Sequence, residues 1–214
     1  MSCCRAASCE EMFKVRGARK SLERYRRKGL DGLDRLVLAR AVADGVEGAD
    51  VLEIGGGIGA IQAELLGAGA RYGEVVELVS AWEPFAAELA HEKGFESRSV
   101  FRVADVLEDP QAAHPADVVV LNRVVCCSPD GVELTRSAAR LTRRTLVLSF
   151  PRRALWLRVG IGVMNAFFAL IGRSFRIFLH RREALVAAAA DVGLEVENAG
   201  RTFAWECLAL RRAS

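Results

Sequence analysis

No stretch of this 214-residue chain is apolar for the ~20 residues that a membrane span requires. The longest apolar segment, residues 154–171 (ALWLRVGIGVMNAFFALI), is interrupted by Arg158 and Asn165 and carries Gly160 and Gly162. The N-terminus, MSCCRAASCEEMF, lacks the apolar core of a signal peptide, so a cytoplasmic protein with reduced cysteines is expected. There is no linker, repeat or low-complexity segment, which excludes a multidomain reading and leaves one globular domain over 1–214. Charge imbalance is lacking too. A net charge of +3 does not argue for a nucleic-acid partner. The basic run from Lys14 to Lys28, opposed only by Glu23, reads as a solvated helix face rather than a polyanion site. Among the six cysteines none has the C-x2-C spacing of structural zinc.

Residues 51–59, VLEIGGGIG, carry the most information. Val51-Leu52 begins a strand that leads into Glu53, then Gly55, Gly57 and Gly59 alternate with Gly56 between them. Helical spacing follows over Ala60 to Leu66. Such a turn uses glycine for positive φ and for close approach of a ligand to backbone. The helix start behind it offers unpaired N–H groups. A dinucleotide site would instead want G-x-G-x-x-G.

Further strands follow in order. Arg71 to Glu77 is a second strand ending in an acid, and Ser80 to Gly94 reads as a helix closed by glycine. Val100 to Val103 is a third strand, followed by Ala104-Asp105-Val106. Asp117 to Leu121 is a fourth, continuous and apolar as a buried parallel strand is, and Asn122-Arg123-Val124-Val125 follows. Thr145 to Phe150 is a fifth, closed by Pro151. A helix from His180 to Gly193 and a hairpin of Leu194–Asn198 with Thr202–Leu210 end the chain. Taken singly, Glu77 and Asp105 read equally well as polar loop residues.

The E-x-G-x-G-x-G turn and these elements together resemble the class I S-adenosylmethionine-dependent methyltransferases. The likeness extends over about residues 20–212. The Y-x-x-K-G-L segment (Tyr25 to Leu30), the glycine turn and the apolar insertion look most like magnesium-protoporphyrin O-methyltransferase and related small-molecule enzymes. The stretch Arg123 to Asp130 departs from the porphyrin enzymes. The resemblance implies an α/β fold: a Rossmann-like, seven-stranded, mostly parallel sheet with helices on both faces and an antiparallel C-terminal hairpin. It also implies an N-terminal helical cap (1–44), a cofactor-binding core (50–150), a lid insertion (152–178) and a final helix and hairpin (179–214). The implied cofactor is S-adenosyl-L-methionine, with S-adenosyl-L-homocysteine as product. Its expected contacts are Tyr25, Glu53, Gly55, Gly56, Gly57, Gly59, Glu77, Leu78, Asp105, Val106 and Asn122. In the family the turn packs on the methionine half, the Glu53 position fixes the amino-acid end, and the acid after the third strand accepts the adenine amine. An acid in the Glu77 position can accept both ribose hydroxyls.

On the acceptor side His180 is the candidate base, with Asn122 and Arg123 as orienting groups; Arg123 reads alternatively as a salt-bridge partner. The apolar insertion reads as a lid over a greasy pocket, or as a peripheral membrane contact through 152–176. No metal is expected. A soft metal or metalloid held by Cys3, Cys4, Cys9, Cys126 and Cys127 is the minor alternative, and Cys207 reads as a buried small hydrophobe. The expected activity is methyl transfer to a small, hydrophobic acceptor. The alternatives are a thiol-assisted enzyme acting on a metalloid such as arsenite, and a non-catalytic S-adenosylmethionine-binding protein.

Overall fold

Apolar residues fill both faces of every central strand, and the computed structural model, which describes residues 12–109 and 111–212, shows what covers them. Seven strands form one sheet: β1 (Asp50–Ile54), β2 (Tyr72–Glu77), β3 (Ser99–Val103), β4 (Ala116–Leu121), β5 (Thr142–Pro151), β6 (Leu194–Arg201) and β7 (Trp205–Arg212). Their order is β3-β2-β1-β4-β5-β7-β6. The first five pair in parallel, and β7 runs antiparallel to β5 and β6. This is the mostly parallel sheet with an antiparallel terminal hairpin that the sequence predicts.

Side chains alternate between faces with period two. Val118, Val120, Val147 and Ala209 enter one core, while Val119, Leu121, Leu146, Leu148 and Leu208 enter the other. The first core is closed by α1 (Val15–Lys28), α2 (Gly32–Ala41) and α3 (Ala60–Gly67), through Leu22, Val37 and Leu65 among others. Leu89 of α4 (Glu83–Lys93) joins the same core. The second is closed by α5 (Gly131–Leu141) and α7 (Arg182–Ala190), through Leu134, Ala138, Leu185 and Ala189. Each fully buried leucine contributes about 1.5–3 kcal/mol. Cys207 is buried in β7, where burial pushes its thiol up to about 12, so it behaves as a small apolar residue.

Several boundaries differ from the sequence reading. Helix α5 has no counterpart among the elements expected from the sequence; its Leu134, Thr135, Ala138 and Ala139 are buried at three- and four-residue spacing. The helix expected from Ser80 starts as a single tight turn, Ser80–Trp82, before Pro84 sets the first α-helical turn of α4. His180 does not begin a helix, since α7 starts at Arg182. Phe178 N–H donates to Cys126 O (2.8 Å) and holds the preceding segment extended against the loop after β4. The basic face of α1 is solvated, with Ala18, Leu22 and Tyr25 as its buried side and Arg26 bridging Glu88 and Glu92 of α4. The apolar insertion forms α6 (Leu155–Leu170), of which only Ile161 and Phe168 are buried. No helix among the described residues is long and apolar enough to cross a membrane.

Candidate functional site

The chain leaves β1 toward β2 and β3 and then returns to β4 on the other side. Ligands of such sheets bind outside the C-terminal strand ends at this point of reversal. A cavity of about 300 Å3 lies there, lined by the glycine turn, the tips of β1 and β2, the loops after β3 and β4, and the two N-terminal helices.

The turn is glycine for reasons that differ by position. Gly55, Gly57 and Gly59 have φ of 68°, 59° and 69°, in the left-handed region. A Cβ on Gly55 would lie 2.5 Å from Val124 Cγ2, and one on Gly57 3.2 Å from the Trp82 ring. Gly56 has no such φ, but a Cβ there would meet Glu53 Cδ at 2.7 Å. Gly55, Gly56 and Gly57 line the cavity. Gly59 does not; it packs on Gln62 and Val75 and starts α3.

Three acids reach the cavity from successive strand ends. Glu77 fastens the turn, accepting Gly57 N–H (3.1 Å) with one carboxylate oxygen and Leu78 N–H (2.8 Å) with the other. Burial raises its carboxyl despite these donors. Glu53 is 4% exposed and accepts Gln62 N–H (3.1 Å). Burial, then the charges of Asp34 and Glu77, raise its carboxyl to about 8. Asp105 accepts Leu107 N–H (2.8 Å). Leu78 and Val106 line the cavity beside these acids. Tyr25 contributes its ring, while its hydroxyl donates to Glu64 on α3; burial and then that carboxylate raise its pKa.

The fourth wall is a clamp. Asn122 donates to Asp34 (2.8 Å) and accepts from Ser149 Oγ (2.7 Å), so both ends of its amide are engaged. Arg123, at φ 61°, donates to Asp34 (2.9 Å) and Asp31 (2.6 Å), and its guanidinium lies 5.6 Å from the Trp205 ring centre. Both residues line the cavity, and these bonds tie the loop after β4 to the start of α2. Asp31 also caps α2, accepting Leu33 and Asp34 N–H (2.9 Å each). Burial pushes its carboxyl up, but the Asp34 N–H and Arg123 outweigh that and hold it at about 2. A depressed carboxyl stabilises the fold above its unfolded pKa and loses that contribution as pH falls through the folded value. Asp31→Ala is thus expected to lower stability by about 1–2 kcal/mol at neutral pH. The difference from wild type should shrink in acid, as denaturant melts at neutral and low pH would register.

His180 is not in the cavity lining. Its Nε2 bonds Ser128 O (2.9 Å) and its ring stacks on Phe178, so it buttresses the loop whose Ser128 lines the cavity. His114 bonds Glu74 (3.1 Å) and His91 pairs with Glu96, both away from the cavity. Cys127 lines the cavity and Cys126 is buried beside it, sulfur to sulfur 4.0 Å. Cys3, Cys4 and Cys9 lie outside the described residues, and among the described ones no group of three ligating side chains could hold a metal. Helix α6 contributes no residue to the cavity lining; its Phe168 joins Val79 and Phe175 in a cluster that Leu78, Trp82 and Cys127 of the lining touch. The sequence reading did not single out Trp82, Asp34 or Phe13, all in the lining. Trp82 alone carried a usable signal, an aromatic five residues past the acid that ends β2.

No protein-family model and no curated protein matches the chain. Solved structures do. Magnesium protoporphyrin IX methyltransferase from Synechocystis PCC 6803, with S-adenosylhomocysteine bound, is 21% identical at a TM-score of 0.70, covering 91% of this chain and 95% of that one. An O-methyltransferase family protein from Burkholderia thailandensis is 20% identical at 0.72, covering 94% of this chain and 60% of that one. The [4+2]-cyclase SpnF is 15% identical at 0.63, covering 84% and 80%. One scaffold thus carries more than one chemistry, and likeness at these identities establishes architecture. The chain has the class I S-adenosylmethionine-dependent methyltransferase fold.

Proposed function

We propose that this protein is an S-adenosylmethionine-dependent methyltransferase that moves a methyl group to a small, hydrophobic acceptor. The observation that carries the reading is the meeting of Glu53, Glu77 and Asp105 with the glycine turn around one cavity at the sheet's point of reversal. An acidic wall suits a ligand that bears a sulfonium, an ammonium and a ribose diol. In this reading the turn backs the methionine half and Glu53 faces the ammonium. Glu77 takes the ribose hydroxyls on the lone pairs left by Gly57 and Leu78. Asp105 takes the adenine amine, with Val106 at the ring edge and Tyr25 and Trp82 closing the site. When bound, the cofactor supplies an activated methyl group. The chain's own residues hold it, orient the acceptor and exclude water. The acceptor side is then the part of the lining formed by Phe13, Val124 and Cys127. No histidine lines the cavity, and an acceptor that is already anionic, such as a carboxylate, needs no base.

The test is calorimetric titration with S-adenosylmethionine and S-adenosylhomocysteine. Micromolar binding is expected. Glu77→Ala should weaken it about 30-fold, the weight of one hydrogen bond to a charged acceptor (~2 kcal/mol). Glu77→Gln, which can still accept from Gly57, separates loss of the ligand contact from loss of the turn's anchor. Absence of binding by both ligands to the folded wild type overturns the reading.

A further inference from the structure

Helix α6 presents an apolar face that nothing in the chain covers. Leu155, Val159, Val163, Phe167 and Leu170 are 56–85% exposed and recur every three or four residues, so they share one side. Ile161 and Phe168, the buried pair, hold the opposite side to the protein. Trp156 stacks on Phe203 from the β6–β7 turn (ring centres 4.6 Å), and Phe203 is itself 80% exposed. A monomeric protein leaves so continuous a face bare only where something else covers it.

Charge identifies the cover. From residue 152 to residue 182 the chain has no aspartate or glutamate and seven arginines. Arg153 and Arg158 are exposed at the start of α6, and no ion pair engages either among the described residues. Two copies meeting through this face would bring like charges together. An apolar stripe edged by arginine, with a tryptophan at one end, matches the boundary between acyl chains and anionic headgroups. The 16-residue helix cannot cross a bilayer, so it would lie in the interface plane. We propose that α6, with Phe203, docks this protein on an anionic lipid bilayer surface.

Flotation with phosphatidylcholine vesicles, with and without phosphatidylglycerol, tests this on the full chain. The wild type should float with the anionic vesicles and much less with phosphatidylcholine alone, and salt should weaken the association. Val163→Asp/Phe167→Asp, both at exposed positions, should reduce flotation about tenfold or more, because the apolar face no longer enters the interface. Arg153→Gln/Arg158→Gln should reduce it about tenfold on anionic vesicles and little on neutral ones. Near-ultraviolet circular dichroism and thermal melts should leave all variants wild-type-like, so a folding loss is seen as such. Failure of the wild type to float overturns the proposal, as does flotation indifferent to Val163→Asp/Phe167→Asp. A concentration-dependent dimer in sedimentation velocity, lost in that variant and unaccompanied by flotation, overturns it in favour of a second copy. None of these outcomes depends on methyl transfer.

Discussion

Gly55→Ala is expected to abolish measurable S-adenosylmethionine binding and to lower stability by about 3 kcal/mol, the sum of left-handed strain and overpacking. Two contributions act there. The residue holds φ 68°, where any Cβ is strained, and the added atom would sit 2.5 Å from Val124 Cγ2. Val124 is β-branched and stiff at χ1, so it cannot swing aside as a long side chain would. It must move with its backbone, and that backbone belongs to the loop that Arg123 clamps to Asp31 and Asp34. The displacement would therefore reach the cavity wall from two directions. Gly45 supplies the control: its φ is 75°, but a Cβ there meets nothing within 4 Å. Gly45→Ala should lower stability by only about 1 kcal/mol, the strain alone, and leave binding intact. Urea melts and calorimetry on the two variants separate strain from collision. Equal losses in both would show that the contact with Val124 carries no weight.

That pair of glycines also shows what was legible in the sequence. The turn and its acids are local: Glu53 and Glu77 sit at the ends of β1 and β2 and Asp105 lies just past β3, so their places along the chain were legible, while their roles rest on the family resemblance. The central strands β1, β4 and β5 were legible because burial on both faces demands continuous apolar runs. The clamp was not, since Asn122 and Arg123 meet Asp34 across 88 and 89 residues of chain. Nothing in a linear pattern distinguishes an arginine that holds a substrate from one that holds a helix cap. The surroundings of His180 were not legible for the same reason: its partner is a backbone carbonyl 52 residues earlier. Apolar runs are ordinarily covered by their own chain, and in sequence alone 154–171 reads either as a lid or as a peripheral membrane contact. Only the three-dimensional structure shows Val163 and Phe167 facing outward.

Cofactor affinity is expected to rise with pH up to about 8 and then level, because Glu53 must lose a proton to receive a cation. In the ligand-free fold burial, with Asp34 and Glu77 adding to it, raises this carboxyl from its ordinary 4.5 to about 8. Near neutrality it therefore carries a proton. An ammonium placed against it favours the ionised form and drives that proton out. Each pH unit below the folded value should weaken binding about tenfold, so two units below it the affinity is roughly 100-fold under the alkaline plateau. Stability runs the opposite way. The folded state binds a proton that the unfolded chain releases above about 4.5, so ligand-free stability is full below that pH and falls as pH climbs through 8. Gly56 enforces the arrangement, because a side chain there would displace the carboxylate that Gln62 N–H holds. S-adenosylhomocysteine, whose ammonium stays charged across this window, is the suitable probe. Calorimetry in buffers of different ionisation enthalpy should register about one proton released per site near neutrality. Glu53→Gln keeps the bond from Gln62 N–H but cannot ionise. It should bind weakly at every pH and remove the contribution of this group from both profiles. A wild-type affinity that stays flat from acid to alkaline pH, with no proton released, would mean that Glu53 is not where the ligand's positive charge sits.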